Sequence, residues 1–488
     1  MILTGLKPEK LWQYFEEICQ IPRPSKNEEK MTAYLLEFAA KHNLEAKRDE
    51  IGNVLIKKVA VAGMENAPTV VLQAHTDMVG EKNADTVHDF ERDPIVPYID
   101  GEWVKARGTT LGADDGIGVA AQLAILASKD IKHGDLECLF TVDEETGLSG
   151  AFALKSDFFD GRLLLNLDSE DEGEIFIGCA GGIDTLINQR VERNTTVPVD
   201  TFVVRIVVSD LQGGHSGDDI NKGRGNAIKI LNRFLWQMNK KYGLRLVEFN
   251  GGNLRNAIAR EASAVVIFDN SYKENVRADF NVYSAEMEEV WNFTEPNLKL
   301  EIESTELVAG VKPLTVVSTT KLLEAIYACP HGVVAMSMRM PGMVETSTNL
   351  ASVRMNANNM DVVITTSQRS DLSSEKMNVA STVECVFKLA GAEVQHSDGY
   401  PGWVPNPNSK ILKIAVESYK TLFGKEPIVR SIHAGLECGL FSEKFSGIDM
   451  ISFGPTLRGV HSPNEKVNIK TVEMWWKHLL DILQRLAK

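Results

Sequence analysis

The sequence predicts an α/β protein, a mixed sheet with helices on both faces, carrying an inserted α+β domain. Three observations lead there. Over the first 180 residues, short and almost wholly apolar runs alternate with helical patterns, as strands buried on both faces do. After Cys179-Ala180-Gly181-Gly182 the strand-like runs become less uniformly apolar, the mark of a sheet with one exposed face. After the breaker-rich Gly399-Tyr400-Pro401-Gly402-Trp403-Val404-Pro405, a helix–strand–helix pattern returns to the C-terminus.

Taken in order, Leu11–Cys19 and Glu28–Lys41 read as helices, the second following a cap signal at Ser25–Asn27. Thr69–Ala74, Glu137–Val142 and Leu163–Leu167 read as buried strands, and Gly116–Ser128 as a buried helix. Thr201–Ser209, Ala262–Phe268 and Val362–Thr366 are the strands of the middle region, with Asn226–Lys241 as a helix between them. Ser409–Leu422 and Thr471–Leu486 are helices flanking a short apolar strand, Met450–Phe453. The two breaker segments mark the way out of one domain and back into it. The expected division is therefore 1–183 with 397–488 as the first domain and 184–396 as the insertion, large enough for two subdomains of about 100 residues each.

At 488 residues, 43% hydrophobic and 24% charged, the chain has the composition of an ordinary soluble protein with a sizeable core. A net charge of -15 argues against nucleic acid or an anionic membrane as the main partner. No apolar run is long enough to span a bilayer. The N-terminal stretch acquires Lys7 and Glu9 before any apolar core develops, unlike a secretory signal. The six cysteines show no C-x-x-C pair; free thiols in a reducing cytoplasm are expected.

The chemistry sits at the ends of the apolar runs: His75-Thr76-Asp77 after the first strand, Glu144-Glu145 after the second, Asp168 after the third, Asp114-Asp115 ahead of the buried helix, and His461 after the last strand. Each has a plain alternative. The H-x-D pair could be a chance polar pair, Asp114-Asp115 an N-cap, and Glu144-Glu145 a solvated acidic turn. Glycines on both sides of Asp114-Asp115 suggest backbone folded closely around something. The joint placement is what counts, because open α/β sheets bind ligands at the carboxyl ends of their strands. Two histidines and several carboxylates gathered there make a nitrogen/oxygen site for hard or borderline metals, zinc above all. Of two adjacent glutamates in such a site, one can bind metal while the other acts on water as general base; spacing does not say which.

The order H-T-D, G-A-D-D-G, D-E-E-T-G, L-D-S-E and a late G-V-H-S resembles the co-catalytic zinc peptidases that include aminoacylase, carboxypeptidase G and the carnosinases. Leu72–Val79, Thr110–Gly116, Gly213-Gly214-His215-Ser216-Gly217 and His433–Gly439 are most similar to the bacterial aminoacyl-histidine dipeptidases among them. The resemblance runs over nearly the whole chain. It implies a zinc-peptidase catalytic domain with two Zn2+ per chain, for which Co2+ or Mn2+ can substitute. His75 and Asp168 would hold one ion, Glu145 and His461 the other, and Asp114 would bridge them through a cis bond to Asp115. Asp77 would orient His75, and Glu144 would be the general base.

It further implies that the insertion is a lid supplying His215, as a positive group at the substrate carbonyl, and Asn256. Arg369 would grip the free carboxylate, with Arg339 and Arg354 as competitors, and Gly435 would make a backbone contact. His433 and Glu437 gain no role. The implied activity is hydrolysis of dipeptides, Xaa-His dipeptides in particular, by a cytoplasmic metallopeptidase; a deacylase of N-acyl amino acids is the alternative. Both a monomer and a homodimer are compatible with this reading.

Overall fold

The computed structural model describes residues 2–355 and 360–488. The chain divides into two compact units. The first comprises Met1–Gly178, Trp403–Ser431 and Leu436–Lys488, and the second Cys179–Gly402 and Ile432–Gly435. Among the described residues no helix is long and apolar enough to cross a membrane.

The first unit is built on an eight-stranded sheet in the order Glu45–Arg48, Val54–Lys58, Leu136–Thr141, Val70–His75, Leu163–Asn166, Asp449–Ser452, Glu174–Cys179, Ile428–Ile432. Its centre is parallel: Val70–His75 pairs in parallel with Leu136–Thr141 and with Leu163–Asn166, which in turn pairs in parallel with Asp449–Ser452. Every residue of Val70–His75 and Leu136–Thr141 is buried. That explains their mostly apolar character, since helices cover both faces of such strands. The register sets His75 opposite Thr141 and Gln73 opposite Asn166, so the carboxyl ends of these strands share one rim. A four-stranded sheet in the order Leu457–Arg458, Lys466–Asn468, Trp103–Ala106, Pro97–Asp100 anchors the segment carrying His461 beside the one leading to Asp114.

The expected helices form with small shifts. Asn226 caps Ala227–Tyr242 through its side chain, and Ser409 caps Lys410–Phe423. The cap expected at Ser25–Asn27 does not form: the helix Glu29–Lys41 has no side-chain cap, and Ser25 Oγ donates instead to Asp77 Oδ2 at 2.8 Å. A helical turn opens at Ala113, but the backbone leaves helical geometry at Asp114 and Asp115, so the regular buried helix starts at Gly116 as expected.

The second unit holds one nine-stranded sheet, Lys299–Ser304, Thr201–Ser209, Ala262–Asp269, Arg245–Gly252, Val344–Met355, Asp361–Ser370, Gly181–Arg190 and Glu393–His396 in order, with Gly332–Met336 added on Val344–Met355. Burial alternates along Thr201–Ser209 and Gly181–Arg190, as in a sheet packed on one face. Among the described residues of this unit, one sheet runs throughout. Asn250, Gly251 and Gly252 pair with Arg354, Val353 and Ser352 and make the sheet continuous. Helices Ala227–Tyr242 and Val316–Ala328 pack over the core that includes Phe234, Leu323 and Ile364. Gly181-Gly182, read as a breaker, opens a strand. Gly182 exchanges backbone hydrogen bonds with Tyr400 in both directions. A Cβ on Gly182 would lie 2.6 Å from the tyrosine ring, so glycine is needed there for close approach.

Candidate active site

In the first unit, His75 ends its strand and is 1% exposed. Its Nε2 lies 3.1 Å from Asp114 Oδ1 and 3.7 Å from Asp168 Oδ1, while Nδ1 lies 3.3 Å from Asp77 Oδ1. The other oxygen of Asp114 is 3.2 Å from His461 Nε2, which is also 2.9 Å from Glu145 Oε2. Asp114 thus turns one oxygen to each histidine. The Asp114–Asp115 peptide is cis. Asp115 takes the capping role that the sequence left open, accepting the Gly118 N–H at 3.2 Å.

Glu144 and Glu145 open the short helix Glu144–Gly147, preceded by Asp143 in the left-handed region at φ 49°. Asp77 fixes this turn: Oδ1 accepts the Glu144 N–H at 3.0 Å and Oδ2 the Glu145 N–H at 3.2 Å. His461 also adopts a left-handed backbone, φ 59°, a conformation that side chains other than glycine seldom take and that clusters at functional sites.

The glycines around Asp114 do enclose something, namely a buried arginine. A Cβ on Gly112 would lie 2.7 Å from Arg23 Nη2, and one on Gly116 2.5 Å from it.

Electrostatically the centre is overloaded with negative charge. Burial, reinforced by neighbouring carboxylates, pushes Glu144 and Asp168 well above the usual carboxylate range. Burial and Asp114 raise Glu145, whose Oε1 has no hydrogen-bond partner. Burial opposes charge on Asp114, but His461 and His75 hold it far below the ordinary range. Burial likewise opposes charge on His75, yet Asp168, Asp114 and Asp77 raise it well above its ordinary value; Asp114 and Glu145 lift His461 to about 11. Among the described residues, Asp114, Glu145 and Asp168 pair only with histidine and with no lysine or arginine. Ligand atoms of His75, Asp114 and Glu145 all lie within 4.8 Å of one another. Buried carboxylates in this number need a cation, and an imidazole–carboxylate donor set suits zinc and similar divalent ions.

Glu437, without a role from the sequence, is wholly buried in this unit. Its Oε2 accepts from Gln73 Nε2 at 2.5 Å and Thr141 Oγ1 at 2.8 Å, and burial pushes its carboxyl up to about 7. It ties together neighbouring strands just behind His75. A cleft of about 640 Å³ opens beside Glu145, walled by His88 and Phe90, with Asp89 and Glu91 on its lining and no lysine or arginine.

The second unit gathers its own cluster. His215 Nδ1 accepts the N–H groups of Gly217 and Asp218 at 3.3 and 3.2 Å, which assigns the proton of the neutral ring to Nε2. Burial, then Arg369, lowers the affinity of His215 for a second proton. That works against the positive charge expected at this position, while Asp218 and Asp219 favour it. Asn256 is exposed on the adjoining segment, its carbonyl accepting the Ser216 N–H at 2.8 Å.

Arg369 is 7% exposed, and its Nη1 donates to Tyr400 Oη at 3.1 Å. Its competitors differ: Arg339 is exposed, and Arg354 is exposed and spends its guanidinium on the carbonyls of Gly251 and Gly252. His433 Nε2 and Ser347 Oγ lie 2.8 Å apart, and burial with Arg369 and His215 drives that histidine down to about 3. A Cβ on Gly435 would stand 2.8 Å from the Tyr400 ring. Sequence reasoning did not single out Tyr400, which contacts Arg369; an aromatic amid Gly-Tyr-Pro-Gly was a weak signal.

Comparison with known proteins identifies the family. The pattern described as Peptidase family M20/M25/M40 matches residues 71–485. The cytosol non-specific dipeptidase of Escherichia coli (strain K12) is 45% identical over 485 residues, 99% of this chain and 99% of that protein. The crystal structure of aminoacylhistidine dipeptidase from Vibrio alginolyticus superposes with a TM-score of 0.90 at 44% identity, covering 99% of this chain and 98% of that one. A tripeptidase from Staphylococcus aureus, at 18% identity and TM-score 0.57 with 99% of each chain covered, shares the fold.

Proposed function

The chain belongs to peptidase family M20/M25/M40, and from that premise we propose that it is a metal-dependent dipeptidase working in the cytoplasm on dipeptides, Xaa-His among them. The observation that carries the reading is the placement of Asp114, one carboxylate oxygen toward His75 and the other toward His461. A carboxylate in that position suits two divalent ions, zinc above all. His75 and Asp168 would hold one, Glu145 and His461 the other, and Asp114 both. When bound, the ions polarise the scissile carbonyl and lower the pKa of water.

The remaining chemistry falls to side chains of this protein. Asp77 holds the His75 ring and the turn bearing Glu144 in place. Glu144 accepts the proton of the attacking water and returns it to the leaving amine. His215 offers its Nε2–H to the developing oxyanion. The guanidinium fork of Arg369 takes the C-terminal carboxylate of the substrate, assisted by Asn256 and the backbone at Gly435. The carboxylate-lined cleft beside Glu145 suits the opposite, ammonium end of a dipeptide. An N-acyl amino acid lacks that charge, which favours peptide over acyl substrates.

Two relatives suggest different breadths, one by its name non-specific and the other aminoacyl-histidine. The test is a panel assay of the zinc-loaded protein on Xaa-His and Xaa-Gly dipeptides, tripeptides and N-acyl amino acids. Dipeptides should dominate, with Xaa-His hydrolysed. Preferred cleavage of N-acyl amino acids, or of tripeptides, would overturn the reading.

A further inference from the structure

We propose that Arg23 and Glu465 are positioning residues that lock the three ligand-bearing loops of the first unit into one rigid frame. The proposal deepens the metal-dependent reading above and rests on it. The carboxylate of Glu465 is 2% exposed and receives four consecutive backbone N–H groups: Leu111 and Gly112 donate to Oε2 at 2.7 and 3.0 Å, Ala113 and Asp114 to Oε1 at 2.7 and 3.3 Å. The last of these belongs to the residue that faces both histidines. Glu465 itself lies four positions beyond His461 on a closed turn, in which its N–H bonds to Ser462 O and Ser462 Oγ bonds to Gly459 O. One carboxylate therefore joins the Asp114 loop to the His461 loop, although the two are far apart in sequence.

Arg23 supplies the third connection. It is also 2% exposed. Its Nη1 donates to the carbonyls of Thr76 and Asp77, both at 2.9 Å, and its Nη2 to that of Gly112 at 2.6 Å. The loop beginning at His75 and the loop ending at Asp114 thus hang on one guanidinium. Gly112 and Gly116 lack side chains where the guanidinium approaches, which lets it reach the backbone. Buried charged donors and acceptors of this kind make the strongest hydrogen bonds. Removing one partner leaves several backbone groups unpaired in the interior, and groups that orient metal ligands govern metal affinity as the ligands themselves do.

The test uses the full-length chain. Glu465→Gln keeps the shape but turns an amide NH2 toward N–H groups that now need an acceptor. In the folded variant, zinc affinity of the stripped protein should fall about 10–100-fold. In the metal-free protein, amide hydrogens at 111–114 should exchange faster. With zinc saturating, kcat should fall while KM for a dipeptide stays within about threefold. Should this variant fail to fold, Arg23→Lys decides, keeping the charge but losing the fork, with the same directions expected.

Zinc affinity and exchange both within about twofold of the parent would overturn the proposal, as would a lower melting temperature with unchanged zinc affinity of the folded protein. Failure of the underlying reading has a separate signature, a parent chain that binds no zinc. Exchange at 111–114 tests the frame even then.

Discussion

His215 Nδ1 accepts the backbone N–H of Asp218 at 3.2 Å, so the imidazole presents Nε2–H as a neutral donor. Burial and Arg369 keep it from gaining a second proton near neutrality. Ring 15N shifts at pH 7 should report this neutral tautomer. His215→Ala should lower kcat by about 100- to 1,000-fold, the effect of losing one oxyanion donor, with zinc content unchanged. An imidazolium signal at pH 7 would contradict the assignment.

Arg369 is the buried arginine of the three candidates, and its role predicts a substrate signature. Amidating the C-terminus of a dipeptide should lower kcat/KM by about 10- to 100-fold, the worth of a charge-assisted pair. In Arg369→Lys the gap between acid and amide should shrink, because the free acid suffers most. Equal losses on both substrates would assign Arg369 a structural role through Tyr400 instead.

Stability should depend on pH through His478, which is 3% exposed, packs against Tyr419 and Phe453, and has Nε2 2.9 Å from the carbonyl of Ala415. Burial pushes it down to about 4 from an ordinary 6.5. Between these values the unfolded chain binds the proton and the folded chain does not. The stabilisation is therefore complete above pH 6.5 and is lost as pH falls toward 4. By pH 5 the loss from this residue is about 2 kcal/mol. Urea midpoints at pH 7.5 and pH 5 should differ less in His478→Gln than in the parent protein.

Much of this was legible in the sequence for a physical reason. Parallel strands buried on both faces read as mostly apolar runs, so the polar residues that end them, His75, Glu144 and Asp168, stand out. His461 was reached through the return of the same pattern after the insertion. What stayed hidden depends on backbone groups, which every residue possesses. Nothing in Ile-Pro-Arg-Pro-Ser announces that Arg23 will hold the carbonyls of Thr76 and Gly112, and Glu465 looks like any surface glutamate until four N–H groups converge on it. The cluster Cys179–Gly182 does mark the start of the second unit, but the close approach of the Tyr400 ring to Gly182 was hidden, because a glycine pair signals a break or a close approach equally well. His215 was found by its motif, but its charge state depends on burial and on Arg369.

Glu145 pairs with His461 at 2.9 Å, and Asp77 holds Glu144 beside it through its N–H; the proposed division of labour gives metal binding to Glu145 and the proton to Glu144. The most direct measurement is zinc content together with dipeptide turnover in Glu144→Ala. The account predicts two zinc ions per chain, as in the parent protein, and a fall in kcat of at least about 100-fold. Turnover equal to the parent, or loss of a zinc ion with the change, would contradict it.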